Sequence, residues 1–168
     1  MKRLLLVRHA KSDWSDEGLR DFDRPLNGRG EHDAPLMAAF LRERELSPTL
    51  LVSSPANRAY STARLFAPSF GIAENDISTD ARLYEASVAT ILGVAAALPN
   101  QYDCVAVFSH NPGLTGAVSV FTDDYVANVP TCGVGVVELD AADWAELDAG
   151  TASLRDLFAP KRVLAAYA

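Results

Sequence analysis

An α/β sandwich with a mainly parallel central sheet is the fold class this sequence predicts. Three segments carry the prediction: LLLVRHAKSDW, TLLVSSPANRAYSTA and DCVAVFSHNPGL. Each is a short apolar run of the kind that forms a strand buried on both faces. Each run is followed by polar residues and then a helix-like stretch. Strands alternating with helices in this way build a parallel sheet covered on both sides.

Taken in order, the first strand is expected near Arg3–Val7, where four consecutive apolar residues end at Arg8 and His9. Residues 13–31, DWSDEGLRDFDRPLNGRGE, lack periodicity and read as a long loop bordering a pocket, with a solvated connection as the plainer alternative. A helix follows in which Met37, Phe40 and Leu41 share one face. Asp33 is its expected N-cap, and Pro35 falls in its first turn or kinks it. The second strand is expected at Leu50–Ser53 and a helix over Ala56–Phe70. A further helix over Val88–Leu98 is stopped by Pro99, and a strand over Cys104–Phe108 follows. Pro112 is well placed to open the next helix. Val134–Leu139 and, more weakly, Leu154–Phe158 complete the strands. With 168 residues, 49% of them hydrophobic, and no repeat or linker, the chain is expected to form one domain over residues 1–168.

Composition excludes several partners. The net charge is −7 and the isoelectric point about 4.9. This argues against nucleic-acid and anionic-membrane binding. No stretch suffices to span a bilayer, and the N-terminal run lacks the features of a secretory signal. Cys104 and Cys132 show no CxxC spacing and read as free thiols in a reducing, cytoplasmic compartment. Metal-ligand patterns are absent, and neighbouring arginines would repel a cation, so no metal or cofactor is expected. GxSxG, GxGxxG and the phosphate-loop pattern are absent too.

What remains is a pair of arginines and a pair of histidines beyond three strand ends. In an open parallel sheet the carboxyl ends of strands share one edge, where ligands bind. Arg8, His9, Arg58 and His110 are therefore expected in one pocket. Guanidinium groups match phosphate oxygens, and a histidine between them is a nucleophile candidate for phosphoryl transfer. His32, set among charges, reads as structural.

The ordered set RHA, SPxxRAxxTA and SHNPG resembles the motifs of the histidine phosphatase superfamily, which has the phosphoglycerate mutase-like fold. DFDRPLNGRGEHDAPLMA together with HNPG is similar, more narrowly, to the small SixA-type phosphohistidine phosphatases. The resemblance implies that His9 is a nucleophile transiently phosphorylated. It implies that Arg8, Arg58 and His110 bind the phosphoryl oxygens, His110 acting best when protonated, and that Asn111 of the HNPG motif joins them. It also implies an acid at Glu85 that protonates the leaving group; alternatively Glu85 only favours a helix dipole. Arg20, Arg24 and Lys11 line the rim, or Arg24 pairs with Asp21 or Asp23. The expected activity is a metal-independent phosphohydrolase acting on phosphohistidine in a protein, as a monomer. A small-molecule phosphate-ester phosphatase or mutase is the alternative. A phosphate-binding module without catalysis is disfavoured, because a pure binder needs no nucleophile.

Overall fold

A computed structural model describes residues 1–167. Leu4–Val7 are wholly buried, and their side chains alternate between two cores. Leu5 and Val7 pack into one core, and Leu4 and Leu6 into the other. That is why the first strand, β1 (Lys2–Arg8), reads as a continuous apolar run and lies in the interior of the sheet. It pairs in parallel with β4 (Cys104–Ser109). β4 pairs in parallel with β2 (Leu50–Ser53), which pairs with β3 (Ser78–Thr79). On its other side β1 meets β5 (Val134–Leu139) antiparallel, and β5 meets β6 (Ala152–Phe158) antiparallel. The order is β3-β2-β4-β1-β5-β6.

Helices α1 (Gly28–Glu43) and α2 (Asn57–Phe66) close the first core. Helices α3 (Val88–Ala96) and α4 (Gly113–Ser119) close the second, together with the buried Trp144. A short α5 (Pro160–Val163) follows β6. The layering is the three-layer sandwich expected. The chain runs outward from β1 toward β3 and later resumes on the far side at β5. The switch in direction falls beside β1 and β4, and the crevice beyond their carboxyl ends is where such sheets bind ligands.

Three local expectations change. α1 starts five residues before Asp33, capped by Asn27, whose side chain accepts a hydrogen bond from Gly30 N–H at 2.9 Å. Gly28 and Gly30 read as loop residues, but a Cβ at position 30 would collide with the Lys11 carbonyl, so close packing requires glycine there. Pro35 consequently lies in the helix interior. The helix expected over Ala56–Phe70 ends at Phe66 and tightens into a 3-10 turn over Ala67–Phe70. The two-residue β3 was not expected; its residues are exposed and carry no apolar pattern.

Candidate active site

β1 and β4 end level, with Arg8 opposite Ser109. His9 and His110 follow directly, their ring centroids 5.2 Å apart. The His9 backbone is pinned on both sides: its N–H donates to Ser109 at 3.2 Å, and its carbonyl accepts from Cys132 N–H at 2.9 Å. Arg58 arrives from the first turn of α2. Thr62, one turn later, accepts from Ala10 N–H at 2.9 Å and donates to the Arg58 carbonyl at 2.7 Å. One hydroxyl thus ties the helix bearing Arg58 to the turn bearing His9.

The His9 tautomer follows from its partners. Nδ1 lies 2.8 Å from the Ala10 carbonyl, which can only accept, so Nδ1 carries the proton and Nε2 keeps its lone pair. Arg58 Nε donates to that Nε2 at 3.4 Å. Burial, with the charges of Arg58 and Arg8, lowers the His9 pKa to about 4, against the opposing pull of the Ala10 carbonyl and Asp21. The ring is neutral at pH 7. It is 7% exposed, more buried than a strand-end side chain suggests.

Arg8 donates to the Val129 carbonyl at 3.1 Å through Nη1 and leaves Nε without a partner. Burial and the neighbouring Arg58 lower its pKa. His110 Nε2 lies 2.8 Å from Ser54 Oγ, which also accepts from Ala56 N–H, and His110 Nδ1 has no partner. Burial, followed by the proximity of His9 and Arg58, lowers the His110 pKa to about 3. His110 is therefore neutral at pH 7; Asp21 favours its charged form, and a bound anion would add to that pull. Among the described residues, three buried side-chain polar atoms lack partners: Arg8 Nε, Arg24 Nε and His110 Nδ1. Two of these three belong to this one cluster.

The other expected residues lie around it. Glu85 is exposed and left-handed (φ 53°) and sits two residues before Ser87, the N-cap of α3. It lies outside the first turn of that helix, so a dipole role does not describe it. It borders a cavity of about 500 Å3 together with Ser87, Val88, Asn111 and Pro112. Gly113 holds this wall close, since a Cβ there would meet the Ala86 carbonyl. The Asn111 amide braces the loop instead of presenting free donors. Its Nδ2 donates to Asn128 Oδ1 and the Val129 carbonyl, and its Oδ1 accepts twice from Thr115. Arg24 pairs with neither Asp21 nor Asp23; it holds the carbonyls of Asp16 and Leu19 and stacks over Trp14 at 4.1 Å. Arg20 takes Asp23 at 2.7 Å in an exposed pair, and Lys11 is exposed. The exposed His32 lies 3.1 Å from Asp33. Three contributors escaped the sequence: Ser54, Thr62 and Asp21. Asp21 Oδ2 accepts from Arg58 Nη2 at 3.0 Å and from the Tyr84 hydroxyl at 2.7 Å. Among the described residues no group of three or more His, Cys, Asp or Glu could hold a metal ion.

A neutral imidazole whose unprotonated Nε2 faces a guanidinium group, with the unpartnered Arg8 Nε and His110 Nδ1 beside it, is a candidate site for an anionic group. The chain belongs to the histidine phosphatase superfamily, branch 1, whose family model matches residues 4–103. It is an enzyme of the phosphatase class. An uncharacterized chloroplastic protein of Arabidopsis thaliana is 31% identical over 155 residues, covering 86% of this chain and 70% of its own. A structure from Agrobacterium tumefaciens, proposed to be a phosphohistidine phosphatase SixA, is 31% identical with a TM-score of 0.78, covering 95% of this chain and 98% of its own. The protein histidine phosphatase SixA complexed with tungstate shares the fold at a TM-score of 0.81 and 20% identity, covering 96% of this chain and 99% of its own.

The buried imidazoles imply a definite pH response. The unfolded chain takes up protons near the ordinary value of 6.5, whereas the folded chain refuses them until about pH 4 at His9 and about pH 3 at His110. Their contribution to stability is intact above pH 6.5 and is lost as pH falls through that window. Titration followed by 15N NMR should show both rings neutral at pH 5.5 and His9 in the Nδ1–H form. A midpoint near 6.5 for His9 would contradict the geometry.

Proposed function

We propose that this chain is a metal-independent phosphohydrolase working through a phosphohistidine intermediate on His9, and that its substrate is phosphohistidine in a protein. The supporting observation is the coincidence, in an acidic chain, of the unprotonated Nε2 of His9 with Arg58, whose Nε donates to it, and with the unpartnered Arg8 Nε and His110 Nδ1. Buried donors without partners are rare, and here an anion would satisfy them. Tungstate, which the SixA structure of this fold carries, is a tetrahedral oxyanion of the same chemistry.

Nε2 attacks phosphorus in line, and the bond from phosphorus to the departing group breaks as the bond to Nε2 forms. Arg8, Arg58 and His110 oppose the charge on the transferring oxygens. A departing imidazole takes its proton on the far nitrogen from solvent and leaves neutral. Water then attacks the phosphorus, the bond to Nε2 breaks, and inorganic phosphate and free His9 result. Asn111 acts by holding the loop behind His110.

Between β1 and α1 the described chain holds a 3-10 turn at Asp21–Asp23 and a single Ser12–Leu26 bridge, and β4 is joined to α4 by three residues. Among the described residues neither connection carries a long helix that could roof the crevice, which suits a substrate delivered on the surface of another protein. The two free cysteines suit a reducing cytoplasm, and the single domain is proposed to act as a monomer. One observation favours the second reading, a small phosphate ester: an exposed carboxylate, Glu85, borders the cavity of about 500 Å3 together with Asn111, the residue that follows His110.

The test offers a phosphohistidine-bearing protein and a panel of small phosphate esters to one preparation, with and without EDTA and vanadate. We expect phosphohistidine to be preferred, activity to survive chelation, and vanadate to inhibit. Activity lost on chelation and restored by a divalent ion would overturn the metal-free mechanism, and a strong preference for an alkyl ester would transfer the assignment to the second reading.

A further inference from the structure

The segment between β1 and α1 sends one charged side chain into the phosphate clamp. Arg24 gathers the carbonyls of Asp16 and Leu19, and Asn57 Nδ2 donates to the Asp23 carbonyl at 3.1 Å, so the turn at 21–23 is tied down from both sides. From that turn Asp21 grips Arg58 twice, its backbone carbonyl taking Nη1 at 2.7 Å and its carboxylate taking Nη2 at 3.0 Å. The third nitrogen, Nε, is left facing His9 Nε2 at 3.4 Å. The same carboxylate oxygen accepts the Tyr84 hydroxyl at 2.7 Å, and the Tyr84 ring stands edge-on to His110, with centroids 5.5 Å apart. Phe22, the neighbour of Asp21, packs edge-on against Tyr84 at 5.1 Å.

We propose that Asp21 is the positioning residue of this site: it aims Arg58 at the nucleophilic nitrogen directly and braces the ring of His110 through Tyr84. The assignment rests on the phosphohydrolase reading above. A free arginine side chain has several rotors, and holding it in one pose costs conformational entropy. Anchoring by Asp21 meets that cost before substrate arrives. Asp21 does not serve as a proton donor. Burial pushes its carboxyl up, but the hydrogen bonds from Tyr84 and Arg58 and the Arg58 charge outweigh burial and hold it below the ordinary carboxylate range. It is ionised wherever His9 is neutral. Tyr84, pushed up to about 12 chiefly by its hydrogen bond to Asp21, keeps its proton and acts as a fixed donor.

The experiment compares Asp21→Ala, Asp21→Asn and Asp23→Asn with the wild type on phosphohistidine. Asp23 is the control, an acid two residues away whose carboxylate pairs with the exposed Arg20. Misplacing a binding group by about 1 Å costs on the order of a hundredfold in rate. Asp21→Ala should therefore lower kcat about 10- to 100-fold. KM should stay level or fall, because the site becomes more positive. Asp21→Asn, which keeps an acceptor oxygen, should lose less, and its circular dichroism should match the wild type. Asp23→Asn should change neither constant.

The ring of His9 is faced by Arg8, Arg58, His110 and Asp21; besides the hydrogen bond to the Ala10 carbonyl, Asp21 is the charged neighbour that raises its proton affinity. Its NMR midpoint should therefore move lower in Asp21→Asn, a change that a merely structural residue would not cause. Wild-type kcat in Asp21→Ala, or an equal loss in Asp23→Asn, would overturn the proposal. A wild type that turns over no phosphate compound would instead remove the phosphohydrolase reading itself, before any variant is made.

Discussion

Replacing His9 with alanine should abolish turnover on every phosphate compound while leaving a folded protein. Nε2 is the lone pair around which Arg58, Arg8 and His110 are gathered, and no other described side chain offers a nucleophile in that position. The fold should survive, because the backbone bonds from His9 N–H to Ser109 and from Cys132 to the His9 carbonyl do not depend on its side chain. Loss of a buried ring still leaves a void, so a lower thermal midpoint is expected alongside a native spectrum. In the wild type, brief mixing with labelled substrate followed by alkaline quench should leave acid-labile phosphate on the peptide containing His9. Measurable turnover in His9→Ala, or label on another residue, would defeat the mechanism.

Replacing Glu85 with glutamine should separate the two candidate substrates. General-acid help contributes on the order of a hundred- to ten-thousand-fold when the leaving group is a poor one, as an alkoxide is. A departing imidazole is protonated by solvent and needs little. Glu85→Gln should therefore reduce kcat/KM on alkyl phosphates by that factor and on phosphohistidine only slightly. Stability should hardly change, since the side chain is exposed and precedes the α3 cap by two residues. The left-handed backbone at Glu85 is equally strained with glutamine, so the comparison isolates the proton. Equal losses on both substrates would take the acid role away from Glu85.

The sequence made one half of this site legible. Arg8, His9, Arg58 and His110 each stand just beyond a run of buried residues, and a strand end is a local property that hydrophobic periodicity reveals. The parallel sheet then supplies the convergence without further information. The other half depends on contacts made at a distance. Asp21 meets Arg58 across 37 positions and Tyr84 across 63, and nothing in the DFD stretch distinguishes the acid that turns inward from Asp23, which pairs with Arg20 at the surface. Thr62 and Ser54 are single hydroxyls whose partners come from other elements. The start of α1 was hidden for a related reason. Gly28 and Gly30 look like breakers, and the close approach of Lys11 that calls for glycine is invisible until the chain is folded. The neutral state of His110 is equally hidden in the sequence, because burial, the largest influence on its proton affinity, exists only in the folded chain.

The pinning of His9 between β4 and the turn before β5 has an evolutionary consequence. The proposed nucleophile directly follows an interior strand, and its own backbone is bonded on both sides, among the parts of a protein that open least often. Asp21, Glu85 and Asn111, which surround it, stand on connecting segments. Connecting segments accept insertions and replacements far more readily than interior strands do. A lineage built on this frame can therefore exchange the parts that meet a new substrate while the reacting nitrogen keeps its aim. Divergence in what is dephosphorylated need not be accompanied by any relearning of how.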